Sequence, residues 1–124
     1  MKWSKLKRLL LPKGPGPPAV IVDDDGVTLW LGGKAHSRIL WSQLTSVDIG
    51  IVTAPEMDYS EAFWGLTGDG AEVIVPVEVI VNAGQLNSKL FKLPGFDMEM
   101  YHRAREAESQ GLPGEFVCWR KSNA

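Results

Sequence analysis

The apolar positions follow two periods along the chain. From residue 19 to 76 they come in short runs or alternate with polar residues, and from 82 to 109 they recur at helical spacing. Residues 19–22 are a short apolar run, 23–26 a turn of three aspartates and a glycine, and 27–31 the returning strand. Gly32 and Gly33 turn the chain into a third strand over 35–41, with Ile39 and Trp41 on one face and Arg38 and Leu40 on the other. These three segments form a meander. A polar turn at Ser42 and Gln43 leads through Leu44 to 47–52, where Val47, Ile49 and Ile51 alternate with Asp48 and Gly50 as in a half-buried strand. Residues 53–60 read as a loop. Strands over 62–66 and 72–76 then flank Gly68-Asp69-Gly70, a hairpin signal, with Pro76 at a strand end or sheet edge because it lacks a ladder donor.

Leu86, Leu90 and Leu93 mark a helix over about 82–92 that ends at Pro94-Gly95. Asp97 is an N-cap for a second helix, Phe96 and Tyr101 are placed as a hydrophobic staple, and Glu99 and Arg103 form an i,i+4 pair. Residues 111–114 stop that helix. The chain closes with a strand over 115–121, in which Phe116, Cys118 and Arg120 face one way and Val117 and Trp119 the other. The pattern predicts an α+β fold: a mainly antiparallel sheet or partly open small barrel of about seven strands, two helical segments near the C-terminus, and a final strand. Ahead of it, residues 1–11 place Trp3, Leu6 and Leu10 at helical spacing among Lys2, Lys5 and Arg8, and a Pro/Gly-rich linker follows. The expected division is therefore an arm and linker over 1–18 and a single domain over 19–124. Deleting 1–17 is expected to shift the melting temperature by roughly a few degrees at most.

Length and charge narrow the class. A chain of 124 residues, 44% hydrophobic and 23% charged, fits one globular domain and excludes wholesale disorder. The net charge of -2 hides an asymmetry: five cations and no acid lie in residues 1–18, leaving 15 acids against 8 cations in the rest. An acidic body argues against nucleic acid as a partner. The apolar run Leu9, Leu10 and Leu11 stops at Pro12, short of both a membrane span of ~20 residues and a signal-peptide core of ~7–15. The expected compartment is the cytoplasm, where a lone Cys118 stays reduced.

The run 25–29, the glycines at 32–33, then 39–44 (Ile-Leu-Trp-Ser-Gln-Leu) and 47–49 together resemble the opening half of bacterial pleckstrin-homology-like domains over residues 19–76. The resemblance implies a scaffold used for binding proteins or lipid head groups rather than for catalysis. The chain departs from that plan where two helical segments precede a last strand, so no binding residues are transferred.

Candidate chemistry is sparse. Asp23, Asp24 and Asp25 lack the distal glutamate and spacing of a calcium loop and read as a solvated turn. His36 and His102 have no metal-ligand spacing, and no metal or cofactor is expected. Cys118, between Val117 and Trp119 in a strand, reads as a buried, inert thiol. Trp30, Trp41, Trp64 and Trp119 all fall in predicted strands, about three of them in the core, so Trp41→Ala is expected to cost ~3–5 kcal/mol.

These features predict a non-enzymatic protein-interaction domain, an adaptor or an immunity-type binder of a basic partner protein. Its predicted surface is the acidic loop carrying Glu56, Asp58, Tyr59 and Glu61, which would steer a cationic partner. An alternative is peripheral membrane association through the arm residues Lys2, Trp3, Lys5, Leu6 and Arg8. A small enzyme with a site built from the histidines and scattered carboxylates ranks last.

Overall fold

The computed structural model describes residues 18–54, 56, 58–78 and 80–122. Lys2, Trp3, Lys5, Leu6 and Arg8, and the membrane-surface reading they carry, lie outside the described residues. Gly32 and Gly33 both take positive φ, 60° and 78°, as a two-residue hairpin turn requires. That turn joins β2 (Gly26–Leu31) to β3 (Lys34–Leu40), and β1 (Ala19–Val22) pairs with the other edge of β2 to complete a three-stranded antiparallel meander. The β1–β2 turn is held by Asp23, whose Oδ1 accepts from the N–H groups of Asp25 (2.8 Å) and Gly26 (2.9 Å).

The second sheet is made from β4 (Leu44–Ala54), β5 (Tyr59–Gly68), β6 (Ala71–Pro76) and β7 (Gly114–Arg120), in the order β6-β5-β4-β7. All its pairings are antiparallel, and the two sheets do not close into a barrel. Pro76 is the last residue of the edge strand β6. A short 3₁₀ turn, Trp41–Gln43, carries the chain from one sheet to the other. Gly68 has to be glycine, because a Cβ there would lie 2.0 Å from the Gln43 carbonyl oxygen where β5 passes that turn.

Two helices, α1 (Ala83–Phe91) and α2 (Met98–Ser109), lie between β6 and β7 in sequence. Asp97 caps α2, its Oδ1 accepting from the Met100 N–H at 3.0 Å. The helices are fastened by an aromatic cluster around Trp64, which is fully buried, stacks on Tyr101 at 5.9 Å and meets Phe91 and Phe96 edge-on. Its indole N–H donates to Asn87 Oδ1 (2.8 Å), and Asn87 Nδ2 donates in turn to the Val77 carbonyl (2.9 Å). One core joins Val20, Leu29 and Ile39 of the first sheet to Ile49, Leu66 and Val75 of the second and to Leu86, Leu90 and Ala104 of the helices. Phe63, Ile74 and Val52, which alternate with those core positions, form a second, smaller cluster. The fold is thus α+β and mostly antiparallel sheet. Among the described residues no helix is long and apolar enough to cross a membrane.

Four local expectations are corrected. The predicted 53–60 loop is a tight hairpin, because β4 runs to Ala54 and β5 begins at Tyr59, opposite it. Tyr59 and Glu61 are strand residues. Trp41 leaves β3 and sits in the 3₁₀ turn, where Gln43 Oε1 accepts from the Leu40 N–H at 2.9 Å and curls the chain. Of the four body tryptophans only Trp64 is core: Trp30 is exposed, and Trp41 and Trp119 are half-buried. Finally, β4 pairs Val47 with Trp119 and Asp48 with Val117, so Cys118 is the extra residue of a β-bulge. The bulge breaks strict alternation and lets Cys118 and Trp119 both pack against the core.

Candidate functional site

The hairpin at the end of β4 is paired as far as Ala54 and Tyr59, with ten residues of β5 opposite β4. At the tip Asp58 takes positive φ (49°), a conformation that aspartate tolerates, and Glu56 and Asp58 are exposed. Tyr59 and Glu61 are two residues apart on β5 and so share a face. The Tyr59 phenol and the Glu61 carboxyl are close enough to interact. Burial pushes the Glu61 carboxyl above its ordinary range, the Tyr59 hydroxyl opposes that, and the Glu108 charge adds to it. Burial and the Glu61 carboxyl likewise push the Tyr59 phenol up.

On the other face of β5 the strand is tied to the last turn of α2. Ser60 Oγ donates to the Glu108 carbonyl (2.7 Å), and the Ala62 N–H donates to Glu108 Oε2 (3.1 Å). Glu108 Oε1 accepts from Arg105 Nε at 2.9 Å, and Arg105 Nη2 pairs with Glu78. The guanidinium also lies 6.0 Å from the centre of the Tyr101 ring. Burial disfavours the Arg105 charge, but the Glu78 bond and the Glu108 charge outweigh it and hold the guanidinium firmly protonated.

Between the hairpin tip and the C-terminal end of α2 lies a cleft of about 690 Å³, walled by Thr53, Asp58, Tyr59, Ser60, Arg105 and Glu108 and closed by residues 109–111. Its field is negative. Asp58 and Glu108 line it, Glu61 stands beside Tyr59, and the C-terminal end of α2, with no basic residue in its last turn, adds the negative end of a helix dipole. Among the described residues of the wall the one cation is Arg105, whose Nη2 and Nε are engaged by Glu78 and Glu108 and whose buried Nη1 has no hydrogen-bond partner. Such a site accepts hydrogen bonds from an ammonium or guanidinium group.

Of the four acidic-loop residues, the structure brings Asp58 and Tyr59 into the cleft, places Glu61 against Tyr59, and leaves Glu56 exposed at the tip. Sequence reasoning missed Arg105, Glu108, Glu78 and Ser60. One signal was present: Glu106 and Glu108 sit in the last turn of a helix, where the dipole disfavours acids.

The other candidates stand apart. Asp23 caps its own turn and pairs with Arg38 (3.3 Å). His36 lies on β3 beside Ser37, and His102 is exposed on α2 against Tyr101. Among the described residues no group of three or more His, Cys, Asp or Glu could hold a metal ion. Burial, with Asp97 and Asp48 nearby, pushes the Cys118 thiol up to about 12, so Cys118 and Tyr59 are both held away from the ionised form that a nucleophile needs. Compared with known proteins, the chain matches no family model, no curated protein and no solved structure.

Proposed function

We propose that the chain is a non-enzymatic protein-interaction domain, an adaptor or an immunity-type binder, that receives a cationic side chain of a basic partner in the cleft at the β4–β5 tip. The observation that carries this reading is the convergence of Asp58, Tyr59, Glu108 and the α2 C-terminus on one open cleft whose own arginine is paired with Glu78 and Glu108 through Nη2 and Nε. A surface of this charge steers a basic partner during encounter, and salt weakens the effect. The resemblance of residues 19–76 to pleckstrin-homology-like domains points the same way, toward binding. The same proposal places the protein in the cytoplasm, where a buried, reduced Cys118 is at home.

The test is an NMR titration of the full chain with an arginine-containing peptide, followed by binding kinetics on variants. Shifts confined to Thr53, Tyr59, Ser60 and 109–111 are expected. Glu56→Lys with Asp58→Lys slows association, and Tyr59→Phe, which removes only the hydroxyl, speeds dissociation. Neither changes stability by more than about 1 kcal/mol. Shifts scattered over the surface, or kinetics unchanged in the charge reversal, overturn the proposal.

A further inference from the structure

A second concavity lies at the opposite end of β4, about 430 Å³ in volume, and it is built from residues far apart in sequence. Trp41 of the 3₁₀ turn, Leu44 at the start of β4, Leu93 after α1 and Trp119 near the end of β7 supply an apolar lining. Lys89 and Lys121 line it as well, and among the described residues no carboxylate does, although Asp24 and Asp25 line the adjoining concavity that shares Trp41 and Ser42. Both indoles are pinned from behind: Trp41 Nε1 donates to the Asp23 carbonyl at 3.0 Å and Trp119 Nε1 to the Pro94 carbonyl at 2.8 Å. Neither ring therefore needs a partner for its N–H, and each loses little freedom when something packs on it. The Lys89 ammonium lies 5.9 Å from the centre of the Trp41 ring, a cation–π distance that holds a positive charge beside the aromatic surface.

We propose that this two-tryptophan groove is a docking site for an acidic peptide segment of a partner protein, which seats an aromatic or leucine side chain against Trp41 and Trp119 and sets flanking carboxylates on Lys89 and Lys121. Charge decides the occupant. The chain's own residues 1–18 carry five cations and no acid, a poorer electrostatic match for two lysines than an acidic segment. A membrane is met by protruding apolar side chains rather than by rings drawn back onto the protein backbone. The volume is near the lower end of the range for ligand pockets and suits one anchoring side chain. Affinity in such a site comes from buried aromatic area, and orientation from the two ammonium groups. Among the described residues the groove shares none with the acidic cleft, so the two readings stand or fall separately.

The probe is a capped hexapeptide, Asp-Glu-Phe-Leu-Asp-Glu, titrated into the 124-residue chain, with a lysine-for-acid version as control. The indole N–H resonances of Trp41 and Trp119 are expected to shift saturably with the acidic peptide and not with the basic one. Lys89→Glu with Lys121→Glu is expected to weaken binding roughly tenfold while the melting temperature moves by no more than about 2 °C. Unmoved indole resonances, or equal shifts with both peptides, overturn the proposal. Two further results also overturn it by naming another occupant. One is concentration-dependent shifts of the same indoles without peptide, together with dimers in sedimentation, which assigns the groove to a second copy's acidic hairpin tip. The other is phosphatidylserine vesicle binding that the lysine variant abolishes while the peptide does nothing.

Discussion

The cleft at the end of β4 and the groove at its start differ in what they offer a partner. The cleft is polar, its charges are interlocked through Arg105, Glu78 and Glu108, and its helix-end field reaches into solvent. The groove is aromatic, with its two indole N–H groups satisfied from behind and two lysines in its lining. A strand of 11 residues separates them, about 33 Å end to end at ~3.3 Å per residue. On the two proposals, charge at one end would govern how fast a partner arrives, and apolar area at the other how long one stays.

The largest effect expected concerns the tryptophans, which the comparison divides into core and surface. Trp64→Ala removes a fully buried ring that joins both helices to the sheet and should cost ~3–5 kcal/mol in urea unfolding. Trp41→Ala and Trp119→Ala each remove a half-buried ring and one hydrogen bond and should cost ~1–2 kcal/mol. This replaces the severe loss that the sequence alone predicts for Trp41. Should Trp41→Ala prove as costly as Trp64→Ala, the groove would be core and not a surface open to a partner.

These two sites also show which information a sequence carries locally. Strand alternation, the Gly32-Gly33 turn, the Asp97 cap and the leucine spacing of α1 are local, and the structure contains each of them. Half of the cleft was visible for the same reason, since Asp58, Tyr59 and Glu61 are neighbours along the chain. The other half comes from Glu108, which reaches β5 only because the Trp64 cluster lays α2 across the sheet. The groove has no local signature at all, since residues 41, 89, 119 and 121 meet through tertiary packing. The β-bulge at Cys118 was hidden too, because no pattern in β7 itself announces an extra residue opposite β4.

A middle-sized effect separates the cations at the two ends. Arg105→Met leaves the partly buried Glu108 beside Glu61 without its counter-charge and should cost about 2 kcal/mol by chemical denaturation. Lys89→Met removes only a contact between an exposed ammonium and the half-buried Trp41 ring and should stay within about 0.5 kcal/mol. Equal losses would mean that Arg105 is not what holds the cleft together.

The smallest effect is the pH dependence, and its sign is opposite at the two ends. Near the cleft, burial raises the folded Glu61 carboxyl above its ordinary value of 4.5. The folded state then holds this proton more tightly than the unfolded chain, so the Glu61 contribution to stability is greatest below 4.5 and falls as pH rises through the folded value. Near the groove, Asp23, whose carbonyl anchors Trp41, is held below its ordinary value of 3.8 by the Arg38 bond and the Asp25 and Gly26 amides. Its contribution is fully present above 3.8 and is lost as pH falls through the folded value. Melting temperatures from about pH 3 to 7 on the wild type, Glu61→Gln and Asp23→Asn separate the two. Glu61→Gln should remove the decline with rising pH, and Asp23→Asn should remove the loss at the acid end. The same ionisation makes the cleft more negative, so affinity for an arginine peptide should rise with pH across the Glu61 window and lose that rise in Glu61→Gln. A wild-type slope that survives in Glu61→Gln would mean that this carboxyl ionises as it does in the unfolded chain, and that Asp58, Glu108 and the helix end alone set the field of the cleft.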